Sequence, residues 1–129
     1  MKFHLARVEG RNSFSGYGND YVEIGGTRYA QSVIVLADRI IDWEAARFED
    51  LTTAEFAAIA KLEVDVVVLG TGPRLRFPHP SKTAPLLRAG IGLEVMDTRA
   101  ACRTYNVLLA EDRRVGAALL MGSAGSEPA

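Results

Sequence analysis

The run Val64-Asp65-Val66-Val67-Val68-Leu69, followed by Gly70-Thr71-Gly72-Pro73, constrains the fold of this chain more than any other stretch. It is β-branched and almost wholly apolar, without the alternation of a strand that has one wet face. Such a run reads as a parallel strand covered on both sides, delivering a glycine turn to one edge of a sheet. Ligands of open α/β sheets gather just beyond the carboxyl ends of such strands, which makes Gly70, Thr71, Gly72 and Pro73 the first place to look for a site.

The segments around it extend the pattern. Upstream, Thr52 reads as a helix N-cap, Glu55 closes a capping box, and Leu51 and Phe56 are placed as a hydrophobic staple. Downstream, a loop with Pro73, Pro78 and Pro80 leads to a short helix over residues 84–89. Thr83 is read as its N-cap, Pro85 as a first-turn proline and Gly90 as its left-handed cap. Residues 91–96 form the next strand, Asp97-Thr98 opens a longer helix to about residue 111, and residues 115–121 close the pattern as a strand. In the first third, residues 21–24 and 27–30 flank Gly25-Gly26, the glycine pair of a type I′ hairpin. Residues 32–36 and 39–43 read as two more strands, and residues 10–20 as a loop rich in Gly, Ser and Asn. The expected fold is α/β: a mixed sheet with a C-terminal β-α-β-α-β portion and an N-terminal hairpin-rich portion packed on the same sheet. Residues 1–129 are read as one domain, with 122–129 a frayed tail.

Composition excludes several functions. Fifteen Lys and Arg against sixteen Asp and Glu leave a net charge of -1, so no broad attraction for nucleic acid or anionic lipid is expected. Twelve of the fifteen cations are Arg, which suits bidentate recognition of carboxylate or phosphate. The lone Cys102 forms neither an intramolecular disulfide nor a multi-thiolate zinc site. A reducing compartment fits, and with neither a signal peptide nor a membrane span in the sequence, the expected location is the cytoplasm.

The candidate site residues lie at one sheet edge. Gly70 and Gly72 invite comparison with phosphate loops, but Leu75 stands where a dinucleotide fingerprint needs its third glycine, and no Gly-Lys-Ser/Thr follows. No cofactor is therefore assigned. Asp97, Thr98 and Arg99 end the neighbouring strand, so a parallel pair would bring them to the same edge. Helical spacing puts Arg99, Arg103, Asn106 and Ala110 on one side of the long helix, and Ala101, Cys102, Tyr105, Leu108 and Leu109 on the core side. The first side is either an anchor for an anionic ligand or partner carboxylate, or a solvated face whose end charges are Asp97 and Arg99. His79 is a candidate acid or base in the Pro-rich loop. No nucleophile elbow occurs and two histidines are too few for a usual metal centre, so no catalytic or metal-binding residue is assigned.

The Gly70-Thr71-Gly72-Pro73 segment, together with Thr98-Arg99-Ala100-Ala101-Cys102-Arg103-Thr104-Tyr105-Asn106-Val107-Leu108 ending in Glu111-Asp112-Arg113-Arg114-Val115, resembles a known family. It is the small domain of unknown function shared by proteobacterial hypothetical proteins, an archaeal protein and mitochondrial assembly factor 3 of respiratory complex I. Tyr29, residues 32–36 and Trp43 extend the likeness more loosely. The resemblance implies a three-layer α/β fold, no assigned enzymatic activity, and relatives that assist assembly of a respiratory complex through protein contacts. The mitochondrial members carry an import extension not seen here, which implies a bacterial cytoplasmic form.

Two functions are carried forward. The first is a non-enzymatic binding or assembly module whose partner surface includes Gly70 to Pro73, Asp97 to Arg99, Arg103 and Asn106. The second is a small-molecule site for an anionic ligand at the same edge, with His79 or Asp97 exchanging protons. The oligomeric state is left open.

Overall fold

A computed structural model describes residues 10–121. The elements run β1 Phe14–Tyr17, β2 Val22–Ile24, β3 Thr27–Tyr29, β4 Val33–Leu36, β5 Arg39–Asp42, α1 Thr53–Ile59, β6 Val66–Gly70, α2 Pro80–Arg88, β7 Gly92–Met96, α3 Thr98–Ala110 and β8 Val115–Leu119. The main sheet has the order β5-β4-β8-β6-β7, and β1-β2-β3 form a second, antiparallel sheet. Strand β6 runs parallel to both β7 and β8, while β4 is antiparallel to β5 and β8.

Topology decides where the helices go. The β6-α2-β7 connection steps outward by one strand, and β7-α3-β8 steps back across β6 in the opposite direction. Right-handed crossovers then put α2 and α3 on opposite faces of the sheet. The side chains agree. Val33, Val35, Val66, Val68, Val115, Ala117 and Leu119 share a core with Ala101, Cys102, Tyr105 and Leu109 of α3. The alternate residues Ile34, Leu36, Val67, Leu69, Ala118 and Leu120 share the other with Phe56, Ile59 and Leu86. A two-residue alternation in strands covered on both faces gives the three layers and explains the apolar run at Val64–Leu69.

The small sheet corrects two expectations. Residues 10–20 are not all loop, since β1 lies within them, and the glycine hairpin joins β1 rather than the main sheet. Strand β1 is four residues long, includes Ser15 and Gly16, and has a register irregularity between Phe14 and Gly16, so neither composition nor period marks it. The hairpin turn itself is as read: Gly25 and Gly26 take φ of 57° and 86°. The part of the N-terminal region that does extend the main sheet is the β4–β5 pair. The small sheet docks on α3 through Phe14, Val22 and Ile24. Phe14 meets Tyr105 edge to face at 5.2 Å, and the Tyr105 hydroxyl donates to the Asn12 carbonyl at 2.8 Å.

Helix α1 has the expected capping box: the Glu55 carboxylate accepts from the Thr52 amide at 2.8 Å, and Thr52 Oγ1 accepts from Ala54 at 3.3 Å. Helix α2 starts four residues before its expected position. Its N-cap is His79, whose Nδ1 accepts from the Ser81 amide at 3.1 Å, and Pro80 rather than Pro85 holds the first-turn position. Pro85 lies inside the helix, and Thr83 is an interior residue whose hydroxyl donates to the Pro80 carbonyl at 3.3 Å. A first-turn proline suits both places, which is why the sequence favours the wrong one. Gly90, at φ 74°, ends α2 as read, with the Gly90 and Ile91 amides donating to the Leu87 and Leu86 carbonyls at 3.1 and 2.9 Å. The expected tail at 122–129 lies outside the described residues.

Candidate functional site: a cleft at the carboxyl edge of β6 and β7

Strands β6 and β7 are in register so that Gly70 lies beside Met96, with Leu119 of β8 on its other side. Just past this level the chain exits are tied together. The Thr71 amide donates to the Met96 carbonyl and the Thr98 amide to the Gly72 carbonyl, both at 2.9 Å. The buried Thr98 hydroxyl accepts from the Gly72 amide at 2.9 Å and donates to the Leu120 carbonyl at 3.2 Å. One side chain thus joins the exits of β6, β7 and β8. The loop beyond is fixed by Thr71, whose hydroxyl donates to the Arg74 carbonyl at 2.6 Å and accepts from the Arg76 amide at 3.1 Å. Gly72 turns the chain with a φ of 96°, a region where a side chain would be strained.

The opposite wall comes from the end of β1 and the turn after it. The Arg99 guanidinium donates to Asn19 Oδ1, and Arg103 donates to the Tyr17 hydroxyl at 2.8 Å. That bond raises the Arg103 guanidinium above its ordinary value, because the charged group is the stronger donor to the tyrosine oxygen. Asn106 behaves like a strand neighbour: its Nδ2 donates to the Phe14 carbonyl and its Oδ1 accepts from the Phe14 amide, each at 2.8 Å. The polar side of α3 is therefore the seam on which the small sheet is laid. Ala110 departs from that side. It is buried, where Arg11 crosses the last helical turn and donates to the Leu109 carbonyl at 3.4 Å.

Between the two walls lies an open cavity of about 560 Å³, lined by Tyr17, Gly18, Asn19, Gly72, Pro73, Asp97, Thr98, Arg99, Leu120 and Met121. Of the residues singled out from sequence, Gly72, Pro73, Asp97, Thr98 and Arg99 line it. Gly70 and Thr71 precede the lining segment at the end of β6 without lining the cavity, and Arg103 and Asn106 sit in the seam between α3 and the small sheet. The sequence reading missed Tyr17, Gly18, Asn19, Leu120 and Met121. A signal existed at Gly18, where a Cβ would lie 2.3 Å from the Tyr21 ring, but a glycine in a Gly/Ser/Asn-rich stretch reads simply as loop.

The proton-exchange candidates are placed differently. Asp97 is the N-cap of α3, its Oδ1 accepting from the Ala100 amide at 2.9 Å. His79 caps α2, with Nδ1 2.8 Å from Ser81 Oγ, and does not line the cavity. Cys102 is 1% exposed, and burial pushes its thiol up to about 12. Its folded-state value lies above the unfolded one, so its contribution to stability is present below pH 9 and fades as pH rises toward 12. Native protein at pH 8 is expected to resist alkylation by iodoacetamide, with labelling following global unfolding; fast labelling of the folded state would contradict the burial. Among the described residues there is no grouping of three or more His, Cys, Asp or Glu able to hold a metal, and no helix is long and apolar enough to cross a membrane.

The family model for a protein of unknown function (DUF498/DUF598) matches residues 14–120. The chain belongs to the DUF498/DUF598 family. The match runs from the start of β1 past the end of β8, so every lining residue of the cleft except Met121 falls within the DUF498/DUF598 region. A mouse protein named NADH dehydrogenase (ubiquinone) 1 alpha subcomplex assembly factor 3 is 33% identical over 106 residues, which are 81% of this chain and 57% of that protein. The chain thus spans little more than half the length of that relative. An uncharacterised protein of Rhodobacter capsulatus is 36% identical over 105 residues, 81% of each chain. The crystal structure of a Bordetella parapertussis protein matches with a TM-score of 0.83 at 37% identity, covering 87% of this chain and 97% of that one.

Proposed function

We propose that this DUF498/DUF598 chain is a binding module that assists assembly of a respiratory complex through protein contacts, and that the cleft is part of its partner surface. The supporting observation is the construction of the cleft: segments 17–19, 70–73 and 97–99 are held by hydrogen bonds within the chain before any partner arrives. Preorganisation of that kind lowers the ordering cost of association. The assembly role follows the name of the mouse relative, and a bacterial cytoplasmic location is proposed beside it on the likeness to the Rhodobacter capsulatus and Bordetella parapertussis proteins. Arg99 is exposed at the rim and is the residue we assign to a partner carboxylate.

The test is genetic. In a bacterium that carries this protein and a multi-subunit NADH dehydrogenase, deletion is expected to reduce assembled enzyme on native gels. The wild-type gene restores it, whereas Arg99→Glu, which reverses an exposed charge without touching the core, does not. Undiminished enzyme in the deletion strain, or full rescue by Arg99→Glu, overturns the reading.

The cavity size favours a second reading. About 560 Å³ falls within the roughly 300–1,000 Å³ typical of small-molecule sites, and a cation stands at the rim. An anionic ligand at about one hundred times its dissociation constant would add about 2.7 kcal/mol of stability. A thermal-shift screen of phosphates, carboxylates and nucleotides reads that directly, and no shift from any of them removes this alternative.

A further inference from the structure

A second surface stands apart from the cleft. Among the described residues four large apolar side chains are strongly exposed, and three of them come from one segment: Leu75 at 49%, Phe77 at 71% and Leu87 at 81%. The segment is held in place, so these side chains are presented and not merely loose. Thr71 fixes the loop backbone at Arg74 and Arg76, and the Arg76 guanidinium lies 4.2 Å over the Phe48 ring and 2.8 Å from the Glu49 carboxylate. Because side chains alternate along an extended loop, anchoring Arg76 inward turns Leu75 and Phe77 away from that contact.

The helix that follows is apolar on both sides. Pro85 and Leu86 are buried in the core. At 100° per residue the opposite stripe is Pro80, Ala84 and Leu87, about one turn apart, and the exposed Phe77 lies three residues ahead of it in the loop. An apolar helix face is ordinarily covered, and exposed apolar groups gathered on a fixed support mark interaction sites.

Charge indicates what covers it. No carboxylate occurs between Asp65 and Glu94, while Arg74, Arg76, Lys82 and Arg88 all do. Arg76 is taken by Glu49; Arg74, Lys82 and Arg88 make no ion pair among the described residues. Lys82 falls on the side of α2 away from the stripe, which leaves Arg88 beside it and Arg74 in the loop before it, both exposed. An apolar stripe with these cations and no carboxylate in its segment is complementary to an acidic amphipathic helix, read as apolar residues at turn spacing flanked by Glu or Asp. Two such cations fall short of the four to eight that hold a segment to an anionic bilayer, which favours a protein over a membrane.

We propose that the 74–79 loop and the outer face of α2 form a second docking surface, whose occupant is an acidic amphipathic helix of a partner protein. It adds a contact to the assembly reading and uses none of the cleft residues that reading rests on, so the two fail separately.

The experiment uses the full chain and a fluorescent synthetic helix of about 18 residues, with leucines at turn spacing and glutamates between them. Controls are the same helix with lysine for glutamate, and one with the leucine stripe scrambled. Anisotropy is expected to show the acidic helix binding at least tenfold tighter than either control, weakening as salt rises to about 0.5 M. Leu87→Glu and Phe77→Ser, both at exposed positions, are expected to reduce that affinity about tenfold with unchanged thermal melting, while Arg99→Glu leaves it intact. Equal binding of the lysine helix, loss with Arg99→Glu, or tighter binding to phosphatidylglycerol vesicles that Leu87→Glu abolishes would overturn the proposal. So would light scattering that shows a dimer dissociated by Leu87→Glu, since the occupant would then be a second copy.

Discussion

Thr98→Val is expected to destabilise the protein by about 2–4 kcal/mol although it keeps the size and shape of the side chain. The hydroxyl accepts from the Gly72 amide and donates to the Leu120 carbonyl inside a buried environment. Valine leaves both backbone groups without partners, and each orphaned buried group costs about 1–3 kcal/mol. At a urea m-value of roughly 2 kcal/mol/M the midpoint falls by about 1–2 M. Thr98→Ser keeps the oxygen, loses one methyl, and is expected to cost less than about 1.5 kcal/mol. Equal effects of Val and Ser would mean that the three strand exits are not joined through this oxygen.

Gly70→Ala is expected to cost about 2–3 kcal/mol, because the added methyl enters a closed junction. A Cβ there would stand 2.9 Å from Leu119 Cδ2, 3.0 Å from Thr98 Cα and 3.1 Å from Thr98 Oγ1. The leucine tip can swing, but the α-carbon can move only with the first turn of α3. Gly92→Ala serves as the control one strand away, where the nearest atoms are 3.8 Å off and the change is expected to stay within about 0.5 kcal/mol. If denaturant midpoints show Gly70→Ala as mild as Gly92→Ala, the close approach of α3 to the end of β6 is wrong.

The parallel part of the fold was legible because each signal there is local. The valine run, the Thr52 and Glu55 cap, Gly90 at a helix end and Asp97 before a helix all specify structure through neighbours within about four residues. The same holds for half of the cleft. Its glycine turn and its Asp97-Thr98-Arg99 wall follow from two strands pointing the same way, and Thr98 N to Gly72 O at 2.9 Å is the meeting point. The other half depends on contacts far apart in sequence. Asn106 bonds a residue 92 positions away and Arg103 one 86 away, and nothing in Arg103-Thr104-Tyr105-Asn106 distinguishes a seam from a wet helix face. Tyr17, Gly18 and Asn19 were lost for the same reason, at the end of a strand too short and polar to carry a period and in the turn that follows it.

Site-specific photo-crosslinking in living cells puts the partner cleft to its most direct test. A benzophenone side chain would be placed in turn at Asn19, at Arg99 and at Asp38. The β4 register pairs Val33 with Leu119 and Val35 with Ala117, so Asp38 projects from the opposite rim of the sheet. The expected result is one ultraviolet-dependent protein adduct of the same mass from Asn19 and Arg99 and none from Asp38. Adducts from Asp38 alone would place the partner at the far rim and contradict a docking role for the cleft.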